Sequence, residues 1–180
     1  MQLSDEEIVA QVKSGQNTNK AFRALIEKYQ ERLYWHIRRM IIDHDDTDDI
    51  LQNVFVKTWK GLPNFREDSN LYTWLYRIAT NESITFINKK KKENNISIDD
   101  ESYQLHAGKA DYLMDCDEIQ EKLEKALLTL PEKQRAVFHM KYYEDMKYTQ
   151  ISEVVGTSVG ALKASYHIAV KKIENYLIEN

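Results

Sequence analysis

Apolar side chains recur every three or four residues along most of the chain, and this spacing predicts an all-α protein. Ser4 followed by Glu7 is typical of a capping box at the start of a first helix. The next segment has one continuous apolar face, which predicts a long amphipathic helix. That face comprises Phe22, Leu25, Ile26, Tyr29, Leu33, Ile37, Met40 and Ile41.

Two more amphipathic helices are predicted in the first half of the chain. The acidic residues from Asp43 to Asp49 suit a turn and the positive first turn of a helix, which Gly61 and Pro63 then end. The loop that follows carries a second cap, at Asp68 or Ser69. The two apolar faces comprise Ile50, Leu51, Val54, Phe55, Thr58 and Trp59 in one helix and Leu71, Trp74, Leu75, Ile78 and Ala79 in the other.

The periodicity fades between Glu93 and about Tyr112, where Asn, Ser, Asp and Gly predominate. Such a stretch buries too little apolar surface to stay fixed, so we interpret it as a flexible linker. It divides the chain into two small helical domains, residues 1–92 and 113–180, joined by the linker at 93–112. A chain of 180 residues is long enough to bury a core in each.

The second domain ends in a predicted helix-turn-helix. Pro131 is expected to be the first residue of a helix. A short helix from Tyr148, a turn at Gly156 and a cap at Ser158 then lead into a helix that runs to about Leu177. In helix-turn-helix proteins the first residues of the second helix reach base edges in the major groove. A compact helical hairpin with solvent-exposed lysines fits the pattern equally well.

Charge is distributed in blocks that the net charge of -4 conceals. Residues 1–49 carry a net charge of -3, residues 50–92 carry +5, residues 93–132 carry -8 and residues 133–180 carry +2. Nucleic-acid binding needs local rather than global positive charge, so the second and fourth blocks are the candidates.

Aromatic residues crowd the second block, around the loop and the helix that follows it. They are Trp59, Phe65, Tyr72, Trp74 and Tyr76, with Arg66, Arg77, Asn81 and the lysines from Lys89 onward nearby. Tyr72, Tyr76 and Asn81 fall off the apolar face of their helix. Such a set can stack on and hydrogen-bond unpaired bases while lysines follow the backbone. A packed core with an ordinary surface is the alternative.

The sequence offers little for catalysis. His44 and Asp45 match the His-Asp pair of metal phosphohydrolases, but the other histidines have no ligand spacing. Cys116 is the only cysteine, and its acidic surroundings oppose nucleophilic use. No apolar run approaches a membrane span, and the first residues do not form a signal peptide. We therefore expect a cytoplasmic protein that is not an enzyme, is not inserted in a membrane, and has neither metal nor other cofactor.

Four motifs, in this order, resemble those of the extracytoplasmic-function sigma factors, the small two-domain bacterial sigma factors. They are Asp49–Trp59, Phe65–Asn81, Leu130–Phe138 and the turn from Ile151 to Leu162. The resemblance spans almost the whole chain, and the four motifs are specific only together. It implies a transcription initiation factor that binds core RNA polymerase and directs it to particular promoters.

The resemblance also implies roles for three groups of residues. The clamp helices of the largest polymerase subunit would be bound by Asp49, Gln52 and Asn53. The minus-ten element would be melted and held by Arg66, Asp68, Ser69, Tyr72, Trp74, Tyr76, Arg77, Asn81, Lys89 and Lys90. The second domain would contact the flap of the second-largest subunit and read the minus-thirty-five element. Its DNA contacts would be Ser158, Gly160, Ala161, Lys163, Ala164, His167 and Lys171.

The chain departs from the family pattern at three places. Gln52 is followed by Asn53 where Glu is usual, which removes one charged contact to the clamp. Residues 165–168 stand where basic residues are common, which shifts base readout toward Lys163 and groove shape. Glu67 stands where Gly is common, so the backbone of the loop is expected to differ.

The rival hypothesis is a helix-turn-helix repressor that binds duplex DNA without polymerase. The aromatic block argues against it, since a repressor need not hold unpaired bases. No metal-sensing domain is visible in the sequence, so an anti-sigma factor is the candidate regulator.

Overall fold

The computed structural model describes residues 3–41, 43–93 and 118–179, which form eight α-helices and no strand. In the first half, α1 spans Asp5–Ser14, α2 Thr18–Ile41, α3 His44–Gly61 and α4 Leu71–Glu93, with a 3₁₀ turn at Leu62–Asn64. In the second half, α5 spans Glu118–Leu128, α6 Glu132–Tyr142, α7 Tyr148–Val155 and α8 Val159–Glu179. The predicted all-α class is confirmed. Residues 94–112 of the predicted linker and Cys116 lie outside the described residues.

Side-chain caps fix the starts of the first helices. The Ser4 hydroxyl accepts a hydrogen bond from the Glu7 amide, and the Glu7 carboxylate accepts one from the Ser4 amide, so the predicted capping box is confirmed. Asp43 caps α3 by accepting a 2.9 Å hydrogen bond from the Asp46 amide. Helix α3 therefore begins at His44, inside the stretch predicted to be partly a turn.

Two other boundaries differ from the predictions by one or two residues. The cap of α4 is Asn70 rather than Asp68 or Ser69, because the Asn70 side-chain oxygen accepts a 2.8 Å hydrogen bond from the Thr73 amide. Pro131 precedes α6 instead of opening it. Both shifts move a helix start without changing which face of the helix is apolar.

The first four helices share one core. Its fully buried side chains include Ile8, Leu25, Leu33, Ile37, Met40, Val54, Leu62 and Leu75. The second unit has a smaller core of its own, formed by Ala126, Leu127, Leu130, Phe138, Ala169 and Ile173. The remaining apolar residues of α6 and α7 join the core of the first unit, so the two units pack against each other.

Helix α4 is covered on two sides, by α2 and α3 on one and by α7 on the other. The prediction that Tyr76 lies off the buried face is therefore wrong, since its side chain is completely buried. Its ring centroid lies 4.4 Å from that of Tyr72 and 4.8 Å from that of His36. A second apolar contact, supplied by another part of the chain, covers the face that the local pattern marks as polar.

Glu144, in the loop between α6 and α7, joins the second unit to the first. Its carboxylate lies 3.2 Å from Arg32 Nη2 and 3.7 Å from Arg39 Nη1, and accepts a 3.3 Å hydrogen bond from the Tyr72 hydroxyl. The Glu144 side chain is only 9% exposed, so these partners replace most of its water. Burial is the main cause that raises the pKa of Tyr72 to about 12.

Two further polar contacts cross the same seam, which we define as the surface where α2 and α4 meet α6 and α7. Arg77 Nε donates a 2.7 Å hydrogen bond to the Glu153 carbonyl at the end of α7. The ammonium of Lys91 pairs with the carboxylate of Glu132 at the start of α6. The seam therefore combines apolar packing with oriented charge pairs.

Replacing Glu144 by Gln should weaken the seam, because the Arg32 and Arg39 guanidinium groups lose their shared anion. We expect a loss of about 1–3 kcal/mol in the free energy of unfolding, measured by urea denaturation.

Asp145→Asn is the matched control, since Asp145 is 94% exposed and pairs with Lys141 four residues earlier. It should change the free energy of unfolding by less than about 0.5 kcal/mol. Equal effects of the two variants would contradict the role given to Glu144.

Candidate polymerase and nucleic-acid surfaces

An exposed stripe runs along α3. Asp49, Gln52 and Asn53 all lie on the surface, as the family resemblance requires. Val56 and Trp59 continue the same stripe, at four and seven residues after Gln52, and are 45% and 41% exposed. The polar start and apolar end make this stripe suitable for binding another protein.

The apolar part of the stripe was missed from the sequence. No role is predicted for Val56, and Trp59 is predicted to lie on the apolar face of its helix and within the aromatic block. Trp59 does pack edge-on against Phe22, with ring centroids 4.8 Å apart, but much of its ring remains exposed. An apolar position at the margin of a helix face is the only signal that sequence offered here.

A cleft of about 340 Å³ opens between the loop after α3 and the start of α4. It is lined by Gly61, Asn64, Phe65, Arg66, Asp68, Ser69, Trp74 and Arg77. The structure thus brings together five of the predicted minus-ten residues, in one concave site. Asn64, on the 3₁₀ turn, was missed because nothing in its sequence context distinguishes it from a turn residue.

Local packing shapes the aromatic wall of this cleft. The Trp74 ring lies 5.0 Å from that of Phe65, at an angle of 41°. Gly61 makes room for it, since a Cβ at that position would lie 3.1 Å from Trp74 Cζ2. Arg66, Arg77 and Asn64 line the same cleft beside this aromatic wall, with Arg77 Nε held by the Glu153 carbonyl. Such a site can stack a planar base and hydrogen-bond its edge.

The other predicted minus-ten residues lie elsewhere. Tyr72 and Tyr76 face the seam rather than the cleft. Asn81 is exposed, as predicted, but lies one turn beyond Arg77 and does not line the cleft.

The lysines at the end of α4 are farther away still. Lys89 lies about 18 Å from Arg77 along the helix axis. Its Nζ is 3.8 Å from Glu93 Oε1. Lys90 pairs with Asp46 at the start of α3, and its ammonium lies 5.4 Å from the Phe86 ring centroid.

Glu67 has φ 63°, in the left-handed region that glycine adopts readily. Its carboxylate pairs with the ammonium of Lys13 on α1. Glu67 therefore holds a backbone conformation that glycine adopts readily.

The helix-turn-helix is formed as predicted. Gly156 ends α7 with φ 67°, and Ser158 Oγ accepts a 3.4 Å hydrogen bond from the Ala161 amide at the start of α8. Ile151 and Leu162 are buried between the two helices. The seven candidate DNA contacts, Ser158, Gly160, Ala161, Lys163, Ala164, His167 and Lys171, are all exposed.

Within residues 3–41, 43–93 and 118–179, no three His, Cys, Asp or Glu side chains are grouped so as to hold a metal ion. No helix in these ranges is both long and apolar enough to cross a membrane.

Comparisons with known proteins agree with this arrangement. Residues 25–93 match the family model for sigma-70 region 2, and residues 120–173 match that for sigma-70 region 4. The chain is 29% identical to the RNA polymerase sigma-H factor of Pseudomonas aeruginosa, over 98% of this chain and 95% of that protein. It is 28% identical to the sigma factor SigW of Bacillus subtilis, over 93% of each chain.

Two solved structures share the fold. CnrH, determined in complex with the cytosolic domain of CnrY, has a TM-score of 0.70 and 23% identity, over 98% of both chains. The sigma factor RpoE of Bartonella quintana, determined with the anti-sigma factor NepR, has a TM-score of 0.69 and 21% identity, over 88% of this chain and 97% of that one.

Because Glu67 has a left-handed backbone, the stability of the protein should depend on which residue replaces it. Glu67→Gly and Glu67→Ala both remove the pair with Lys13, but only Gly relieves the steric cost of φ 63°. We expect Glu67→Gly to be more stable than Glu67→Ala by about 1 kcal/mol, or about 2–4 °C in Tm, by differential scanning calorimetry. An Ala variant as stable as the Gly variant would contradict the assigned loop conformation.

Proposed function

The chain belongs to the extracytoplasmic-function sigma factors, and on that premise we propose that the α3 stripe, the cleft and the start of α8 are its three binding surfaces. As a sigma factor it binds core RNA polymerase and promoter DNA and directs initiation at specific promoters. The repressor alternative is not favoured, because region 2 and region 4 matches together cover most of the chain. Its role consists of binding, without a catalytic step of its own.

The stripe on α3 docks on the clamp helices of the largest polymerase subunit. Gln52 and Asn53 supply hydrogen bonds, and Val56 and Trp59 supply apolar area that is exposed in the free chain. An apolar centre with polar surroundings is the usual composition of a protein interface. The Asn at position 53 is neutral, so apolar contact carries more of the binding here than a charged pair does.

The cleft takes one unpaired base of the minus-ten element, and its geometry is the observation that carries the proposal. Trp74 and Phe65 provide a stacking surface, and Arg66 and Arg77, which line the same cleft, would contact the adjacent phosphates. Stacking a flipped base on an aromatic side chain is worth about 1–3 kcal/mol. That free energy offsets part of the cost of unpairing the duplex.

The start of α8 reads the minus-thirty-five element in the major groove. Lys163 stands among the first residues, where base edges are reached, and its ammonium lies 5.9 Å from the Tyr148 ring centroid. Lys171 stands two turns later, nearer the phosphates. Joining this unit to the first raises the effective concentration of each at the promoter.

Regulation by an anti-sigma factor and action in the cytoplasm follow from the same premise. The two solved structures described above were each determined with a bound partner, CnrY in one and NepR in the other. Core polymerase works on the chromosome, so we infer that the chain works there as well. The division into residues 1–92, a linker at 93–112 and residues 113–180 is part of the same proposal.

Asp49→Arg combined with Gln52→Ala should weaken binding to core polymerase, because the double change reverses a charge and removes an amide from the stripe. We expect at least a tenfold rise in Kd, equivalent to about 1.4 kcal/mol, in a fluorescence titration with core polymerase. The fold should be retained, since both side chains are exposed.

Glu27→Arg with Gln30→Ala makes the same two changes at the same spacing on α2, where both residues are also exposed. This control should leave the Kd within about twofold of the wild-type value. Loss of binding in both double variants, or in neither, would refute docking through the stripe.

Asn64→Ala and Asn81→Ala distinguish the cleft from the exposed face of α4. If the cleft holds the base, Asn64→Ala should reduce the free energy of discrimination between bases at one minus-ten position by about 1–3 kcal/mol. It should also slow promoter opening. Asn81→Ala should have the smaller effect, since Asn81 lies outside the cleft. Permanganate footprinting of the promoter bubble measures both, with Tm recorded in parallel. A larger effect at Asn81 would move base capture out of the cleft.

A further inference from the structure

Two buried histidines lie on opposite sides of the seam. His36, on α2, and His139, on α6, are both almost completely excluded from solvent. His36 Nε2 lies 2.9 Å from Thr80 Oγ1, whereas its Nδ1 has no hydrogen-bond partner among the described residues. Neither ring nitrogen of His139 has a partner within the same part of the chain. A buried imidazole ring that lacks hydrogen-bond partners is poorly placed to accept a second proton and become charged.

Most of the charged and titratable groups around the two histidines disfavour a positive charge on either ring. They are Arg39 from α2, Tyr76 from α4, Arg135 and Tyr143 from α6 and its end, and Glu144 from the following loop. Arg135 is itself buried, and its Nε has no partner among the described residues. Glu144 favours protonation of His36, but Arg32 and Arg39 already share its charge, and the Arg39 backbone favours protonation of His139 against the effect of burial.

These surroundings set the direction of both histidine pKa values. Burial lowers the pKa of His36 to about 4, with Glu144 opposing the shift and Arg39 adding to it. Burial, then Arg135, His36 and Arg39, lowers the pKa of His139 well below its usual value. Both rings are therefore neutral while the two units are packed together.

We propose that the seam is a proton-sensitive lock, in which acidification separates the two helical units by favouring the state where His36 and His139 are hydrated and protonated. The geometry supports this because both histidines contribute to the packed surface between the units. No other described histidine is buried there, since His44 and His167 are exposed.

The direction of the pH dependence follows from proton linkage. Where separation hydrates a histidine ring, its pKa returns toward the ordinary value of about 6.5, so the separated state binds protons below this pH and the packed state does not. The packed arrangement is fully stable above about pH 6.5 and loses stability as the pH falls from there toward 4. Between pH 7.5 and 5.5, protonation of each histidine raises the ratio of separated to packed chains by about tenfold. The two histidines together raise this ratio by up to about 100-fold.

Separation would uncover the face of α4 that the second unit covers. Tyr72 would lose its bond to Glu144, and Arg77 would lose its bond to the Glu153 carbonyl. Both side chains would then be available to promoter DNA, so mild acid would favour promoter opening. This consequence depends on the proposed function, whereas the separation itself does not.

Small-angle X-ray scattering of the full chain between pH 7.5 and 5.5, at fixed ionic strength, tests the lock. We expect the radius of gyration to rise as the pH falls, with helicity by far-UV circular dichroism unchanged. His139→Leu should reduce the pH dependence of the radius of gyration to that expected from one histidine. The double variant that also carries His36→Gln should show no pH dependence. His44→Gln, at an exposed histidine, should leave it as in the wild type.

Three results would overturn the lock: a radius that does not change with pH, the same change in the double variant, or loss of helicity in step with expansion. The last would indicate acid unfolding rather than separation. Promoter opening by the reconstituted polymerase is measured over the same pH range. If the chain expands as expected but promoter opening does not respond, the lock stands and the role given to the covered face of α4 is wrong.

Discussion

Helix α4 lies between two packed surfaces, and the arrangement of the rest of the chain depends on that double burial. Leu75 and Ala79 join the core of the first unit, and Tyr76 fills the space next to the second. Apolar burial provides the driving force, and the polar contacts of Glu144 and Arg77 set the orientation. A buried carboxylate that has lost its water is stable only in the one geometry that pairs it.

The same helix is where the proposed functions meet. Its first turn closes the cleft through Trp74, and the cleft stays open to solvent while the units are packed. Tyr72 and Arg77, by contrast, make contacts across the seam. On the proposed function, the packed chain exposes the α3 stripe and the start of α8 but covers part of the face of α4 that would bind the DNA strand. Binding promoter DNA through that face competes directly with packing of the second unit.

Sequence periodicity was enough to predict the helices, because their apolar residues recur at helical spacing, although the starts of α4 and α6 lie one or two residues from the predicted ones. It failed where another part of the chain decides the environment. Tyr76 has a position that faces away from the local stripe, and only the packed second unit buries it. Asn64 lines the cleft, and Val56 extends the stripe, because of loop and helix placement that no local pattern encodes. The exposed start of α8 was predictable, since helix-turn-helix geometry is local.

In the free protein the second unit covers α4, and we expect it to leave α4 when polymerase and promoter bind. Electron–electron double resonance measures this directly, with spin labels at the exposed positions Thr85 on α4 and Thr149 on α7 and with the single native cysteine, Cys116, replaced by Ser. At pH 7.5 the free chain should give one narrow distance distribution, which core polymerase with promoter DNA shifts to longer distances. A broad distribution in the free chain, or one that polymerase and promoter leave unchanged, would contradict the account.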